Sequence, residues 1–90
     1  GWNTVNFDLA NFKSNVPKKL LDKIKNNSNF YFTHSFAVKT IDKKETWASS
    51  SYGKNKFSSI IGKENIIGCQ FHPEKSGSVG QNLIENFLDI

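Results

Sequence analysis

The sequence predicts a single mixed α/β domain, and three stretches carry that prediction. "FYFTHSFAVKT", residues 30 to 40, is dense in aromatic and β-branched residues, as a strand requires. "KFSSIIGKENIIGCQFH", residues 56 to 72, places the polar turn "GKEN" between two apolar runs, so it reads as two more strands. "SVGQNLIENFLDI", residues 78 to 90, repeats apolar residues at Val79, Leu83, Ile84, Phe87 and Leu88, which is helical spacing. At 90 residues the chain is long enough for one small domain.

The remaining elements follow in order. "TVNF" alternates and favours β structure, giving a short strand that starts near Trp2. "VPKKLLDKIKNN" puts Leu20, Leu21 and Ile24 on one helical face, with Pro17 in the first turn, where its missing N–H is harmless. "NNSN" stops that helix. In the aromatic strand, Tyr31, Thr33 and Ser35 fall on one face and Phe30, Phe32, His34 and Phe36 on the other. "ETWASSSY" is expected to pair with it across the polar turn "DKK". Ile66 to Phe71 is apolar on both faces apart from Gln70, the pattern of a buried strand. The closing helix has Ser76 or Ser78 available as its N-cap. The count is five strands and two helices, and the loop after Ile66 to Phe71 sits at the carboxyl end of a strand, where open α/β sheets bind ligands.

Composition limits the possible functions. One cysteine allows no internal disulfide and suits a reducing cytosol, so the chain is expected to be cytoplasmic. A domain this short is marginally stable without further support. No apolar run reaches the length of a bilayer span, so no membrane partner is expected. The net charge is +4, yet every basic residue is a lysine, scattered among Asn, Ser and acids. Arginine, which clamps phosphates and reads guanine edges, is missing, so a solvated lysine-rich surface is favoured and no nucleic-acid partner is expected.

"IIGCQFHPEKSG", residues 66 to 77, holds the candidate chemistry. If the chain stays extended past the strand end, His72 and Glu74 point to the same side. Pro73 between them fixes φ and donates no hydrogen bond, which is tolerable only where the strand's ladder has ended. A carboxylate beside one imidazole nitrogen fixes the tautomer and leaves the other nitrogen to take a proton from a nucleophile. That is the back half of a triad, with His72 as base and then acid and Glu74 as the group that orients it. Spacing alone does not separate such a pair from chance. A metal site is disfavoured, since there is only one other histidine and no carboxylate or thiol cluster nearby.

"GCQFHPEKSG" resembles the terminal catalytic motif of the class I glutamine amidotransferases, in which an apolar strand ending Gln-Phe-His-Pro-Glu supplies the His and Glu of a Cys-His-Glu triad. "GWN" at residues 1 to 3, "YFTHSF" at 31 to 36, Lys75-Ser76-Gly77 and a closing helix ending "NFL" narrow the resemblance to one branch, the glutaminase subunits of imidazole glycerol phosphate synthase in histidine biosynthesis. The pieces cover essentially the whole chain.

The resemblance implies a flavodoxin-like three-layer fold, of which residues 1 to 90 form the C-terminal part with a mixed sheet and flanking helices. It implies a glutaminase that takes ammonia from glutamine and passes it to a synthase (cyclase) subunit in a heterodimer, with His72 and Glu74 catalytic and no cofactor. It places Ser35 and Phe36 along the glutamine site, and Trp2, Asn3, Tyr31 and Lys75 against the synthase partner. The family's usual tyrosine is Phe36 here, which puts a contact through a phenol hydroxyl in question; an ordinary strand with Phe36 in the core remains an alternative. Trp2 is open to a second reading as a core residue, and His34 is preferred as a hydrogen-bonded structural histidine.

Cys69 is expected to be an inert buried thiol, facing away from His72. The family's nucleophile stands on a Gly-x-Cys-x-Gly elbow, which this sequence lacks, so the attacking residue is expected upstream of Gly1 and the fragment alone is expected to be inactive. Two rivals stand beside this reading: a paralogue feeding another synthase, and a non-catalytic interaction module. A nucleic-acid binder ranks behind both.

Overall fold

The computed structural model describes residues 1–33, 43–64 and 66–90. Within them lie five strands and two α-helices, and the α/β class is borne out. The strands form two antiparallel sheets.

β1 (Trp2–Val5) pairs antiparallel with β2 (Ser28–Tyr31), setting Trp2 opposite Tyr31 and Val5 opposite Ser28. The connection carries a 3-10 turn at Leu9–Asn11, where Asp8 accepts from the Ala10 amide, and α1 (Asn15–Leu20), where Ser14 Oγ accepts from the Val16 amide. These are short polar side chains satisfying N–H groups that the first turn leaves unpaired.

α1 is shorter than its apolar spacing predicts. It ends after Leu20, and Lys23 takes a left-handed φ of 63° through which no helix continues. Leu21 and Ile24 are buried all the same, because turn hydrogen bonds from Leu21 N to Pro17 O and from Ile24 N to Leu21 O keep the path coiled. The carbonyls released at this end are taken up by the closing helix: Asn86 Nδ2 donates to Leu20 O and Asp22 O, each at 2.8 Å, and Asn82 Nδ2 donates to Lys23 O.

β3 (Thr46–Tyr52), β4 (Asn55–Lys63) and β5 (Ile66–Cys69) make the second sheet, in that order. Among the described residues β3 pairs with β4, not with β2 as expected, through the two-residue turn Gly53-Lys54. Residues 34–42, which hold the second half of the aromatic strand and Asp42 of "DKK", lie outside the described residues, and Lys43–Glu45 form a 3-10 turn leading into β3. A bridge between Asn6 and Ser49, with hydrogen bonds of 2.7 and 2.8 Å, ties the two sheets together, and Ser50 Oγ adds a bond to Thr4 O.

The expected buried strand at Ile66 to Phe71 is corrected. Among the described residues β5 has a hydrogen-bonded neighbour on one side only, β4, and Ile66 is 76% exposed. Phe71 is buried in the core, beyond the strand's end, and Ile67 packs against it partly buried.

The core gathers Val5, Leu20, Leu21, Ile24, Phe30, Phe32, Trp47, Ile60, Phe71 and Leu83 from both sheets and both helices. Phe30 and Phe32 bury the face that alternation assigned to them, with Phe71 at 4.3 and 5.6 Å between ring centroids. α2 (Gly77–Leu88) buries Gly80 and Leu83 and leaves Phe87 and Leu88 exposed. No helix of the described residues is long and apolar enough to cross a membrane.

Candidate functional site

The segment from Gln70 to Gly77 passes from one sheet to the other, and that passage builds the site. Gln70 N still donates to Ser59 O of β4. Phe71 then drops its ring against Phe30 and Phe32. One residue later His72 N donates to Tyr31 O of β2 at 2.8 Å. A core anchor on one side and a foreign strand on the other leave His72 little backbone freedom.

Pro73–Lys75 form a 3-10 turn, so the chain does not stay extended through the motif as the sequence argument supposed. The outcome for the side chains is nevertheless the expected one. His72 Nδ1 lies 2.7 Å from Glu74 Oε1, because the tight turn folds the carboxylate back onto the ring that precedes it. That bond, with a smaller contribution from Glu74's own backbone N–H, holds the Glu74 carboxyl below its ordinary value of 4.5. The carboxylate is therefore ionised at neutral pH and accepts the Nδ1 proton, and in the neutral tautomer so fixed Nε2 is the acceptor.

Nε2 meets Thr33 Oγ1 at 2.9 Å. Thr33 was not singled out from the sequence: it stands 39 residues from His72, and only the pairing of β2 with the motif brings them together. Ser76 is a second such residue. Read from sequence as a helix cap, it makes no side-chain cap bond; its hydroxyl accepts from Tyr31 N at 2.9 Å and donates to His72 O at 2.6 Å.

Other expected residues are placed as follows. Trp2 is 57% exposed and stacks edge-on against Tyr31, ring centroids 5.7 Å apart, so its reading as a core residue is set aside. Asn3 donates from Nδ2 to Ser51 O and accepts from Thr4 N. Lys75 is exposed. His34, Ser35 and Phe36 lie outside the described residues.

Cys69 closes β5 as an exposed residue, contrary to the expected burial, at a strand that among the described residues is paired on one side only. Its neighbours still take enough water from the thiol to push its pKa up to about 11. Such a thiol is protonated at neutral pH and is a poor nucleophile. Among the described residues no three His, Cys, Asp or Glu side chains gather as metal ligands do. A cleft of about 750 Å³ opens between the 3-10 turn at Leu9–Asn11 and β3, lined by residues such as Asp8, Phe12 and Trp47, and includes neither His72 nor Glu74.

Residues 4–90 match the family model described as "Glutamine amidotransferase class-I". The chain belongs to the class-I glutamine amidotransferase family. Within this amidotransferase family, it is 47% identical over 90 residues to imidazole glycerol phosphate synthase subunit HisH of Buchnera aphidicola subsp. Acyrthosiphon pisum, covering 100% of this chain and 41% of that relative. It is 46% identical over 88 residues to subunit HisH 2 of Methanococcus maripaludis, covering 98% of this chain and 40% of the relative. With subunit HisH of Haemophilus influenzae KW20 the identity is 47% over 89 residues, covering 99% and 40%. The amidotransferase chain thus spans about 40% of the length of these curated relatives.

Proposed function

We propose that this chain is the C-terminal part of a glutaminase subunit of imidazole glycerol phosphate synthase, supplying ammonia to a synthase subunit in histidine biosynthesis. The observation that carries the reading is the 2.7 Å hydrogen bond from His72 Nδ1 to Glu74 Oε1, formed by a Gln-Phe-His-Pro-Glu segment in a chain of this family. The names of the relatives support the choice of synthase.

In this reading the attacking thiolate comes from a cysteine N-terminal to residue 1, since Cys69 is held protonated. His72 Nε2 takes the thiol proton, and the sulfur attacks the amide carbon of glutamine. The tetrahedral intermediate collapses as His72 returns that proton to the leaving nitrogen, releasing ammonia and a glutamyl thioester. His72 then accepts a proton from water, whose oxygen attacks the thioester; glutamate leaves and the thiol is regenerated. Glu74 stabilises each imidazolium and holds its tautomer. Thr33 occupies Nε2 meanwhile, so the thiol has to share or displace that hydroxyl.

The exposed Trp2 ring with Tyr31 against it supplies aromatic anchors for the synthase-docking face in this reading, and the resemblance assigns Asn3 and the exposed Lys75 to the same face. Ser35 and Phe36 are assigned to the amino-acid end of glutamine by the resemblance.

The test is the full-length protein assayed for glutamate release with its synthase subunit. His72→Ala and Glu74→Ala are expected to reduce kcat, the first by at least about 1,000-fold. A full-length complex that releases no glutamate from glutamine sinks the reading and favours a non-catalytic interaction module. Glutamate release without coupling to the imidazole-forming synthase points to a paralogue serving another acceptor.

A further inference from the structure

Ser76 stands at the N-cap of a twelve-residue helix and is 2% exposed, a position where a serine ordinarily caps the first turn. Its hydroxyl makes no cap bond and is committed elsewhere, accepting from Tyr31 N and donating to His72 O. The same two residues are joined directly by His72 N and Tyr31 O at 2.8 Å. Ser76 therefore closes a second connection between β2 and the backbone of His72.

The consequence falls on the imidazole. With His72 N fixed on Tyr31 O and His72 O held by Ser76 Oγ and by Lys75 N, the residue's backbone is restrained at both ends. Side-chain rotation is in turn restrained by Glu74 on Nδ1 and Thr33 on Nε2. β2 thus reaches His72 through Tyr31 O and through Ser76, and Thr33, two residues past the strand's end, adds a third contact. Without the hydroxyl, Tyr31 N loses its acceptor and the turn keeps only the His72 N to Tyr31 O bond as its backbone tie to β2, so the ring gains room to drift from the line between Glu74 and the reacting atoms.

We propose that Ser76 is a positioning residue of the glutaminase, whose hydroxyl clamps His72 to β2 and so aims its Nε2. The proposal rests on the glutaminase reading above. It concerns orientation, so its mark is a loss in the chemical step with substrate binding retained, because misplacement of a reacting group by an ångström costs about 100-fold in rate.

The experiment uses the full-length protein with its synthase subunit and compares wild type, Ser76→Ala and Ser76→Thr. Ser76→Ala is expected to lower kcat by about 10- to 100-fold with KM for glutamine within about twofold, and Ser76→Thr, which keeps the hydroxyl, to recover most of the rate. In parallel, the His72 imidazole ¹⁵N resonances are expected to move in Ser76→Ala and to stay in place in Ser76→Thr. An unchanged kcat in Ser76→Ala, a loss shared equally by Ser76→Thr, or unmoved His72 resonances each overturn the positioning role. A wild-type complex without glutaminase overturns the functional reading instead, and the imidazole resonances then decide the clamp by themselves.

Discussion

The carbonyl oxygen of Pro73 lies so close to Gly80 that a Cβ at position 80 falls 1.9 Å from it, and 2.8 Å from Ser76 Cβ. No side chain fits there, and the obstacle is backbone. Gly80 is what lets α2 pack directly beneath the 3-10 turn that carries Glu74. Gly80→Ala is expected to push the turn off the helix and to destabilise the full-length protein by roughly 1–3 kcal/mol, the usual cost of overpacking. Gly77→Ala is a useful contrast: its Cβ meets nothing within 4 Å, but its φ of 65° costs an L-residue about 1–2 kcal/mol. Urea unfolding checks the stabilities, and the His72 resonances separate the two variants, since only Gly80→Ala forces the turn to move. Equal stability of Gly80→Ala and wild type would show that α2 and the turn are not in contact in solution.

The lowered Glu74 carboxyl predicts a pH window. Its folded value lies below the ordinary 4.5, chiefly because of the His72 hydrogen bond. The attraction is therefore complete above 4.5, persists for some distance below it, and is lost as pH falls through the lowered value. Both side chains are substantially open to water, 38% for His72 and 54% for Glu74, so the pair adds little to global stability and its worth is in orientation. The ¹³C titration of the Glu74 carboxyl should have its midpoint below 4.5, and His72→Ala should bring it back toward 4.5. A wild-type midpoint at 4.5 would mean that the bond does not form in solution.

What could be read from sequence is what repeats locally. Alternation put Phe30 and Phe32 on the buried face, and the helical spacing around Leu83 located α2. The His72 and Glu74 contact was also legible, although by the wrong route, because a two-residue offset brings side chains together in an extended chain and, as found, in a tight turn as well. The features that were not legible depend on distant partners. The carbonyls freed at the end of α1 are taken up by Asn82 and Asn86, some sixty residues on. Among the described residues β5 has a neighbour on one edge only, and apolar composition does not encode that. Thr33 and Ser76 acquire their roles only when β2 lies beside the motif, and a hydroxyl's sequence position does not reveal which of several backbone groups it will meet.

Cys69 supplies a prediction that separates surface exposure from reactivity. The residue is exposed, yet its thiol is pushed up to about 11. At neutral pH roughly one such thiol in ten thousand is ionised, and the thiolate is the reactive form. Alkylation by iodoacetamide should accordingly be slow at pH 7 and rise about tenfold per pH unit until pH approaches 11. Cys69→Ser should leave the glutaminase rate of the full-length complex within about twofold. Rapid alkylation at neutral pH accompanied by loss of activity would reinstate Cys69 as a candidate nucleophile.

Lys75 tests the docking face against its nearest chemical control. It follows Glu74 directly in the 3-10 turn and is exposed, so a charge on the proposed synthase partner that pairs with it acts one residue from the carboxylate proposed to orient His72. Lys63 is also an exposed lysine, but it ends β4 at the turn into β5 and belongs to the other sheet. Removing either costs the same unit of net charge, so general steering of an acidic partner is lowered equally in both variants. Any excess effect of Lys75→Ala reports a local contact. With the full-length protein, Lys75→Ala is expected to lower synthase-dependent activation of glutaminase by about tenfold, as a lost charged interface contact does, while Lys63→Ala stays within about twofold. Titrating the synthase subunit and reading glutamate release gives both the affinity and the saturated rate for each variant. If the two lysine variants behave alike, Lys75 leaves the docking face and Trp2 and Tyr31 must anchor it without a neighbouring charge.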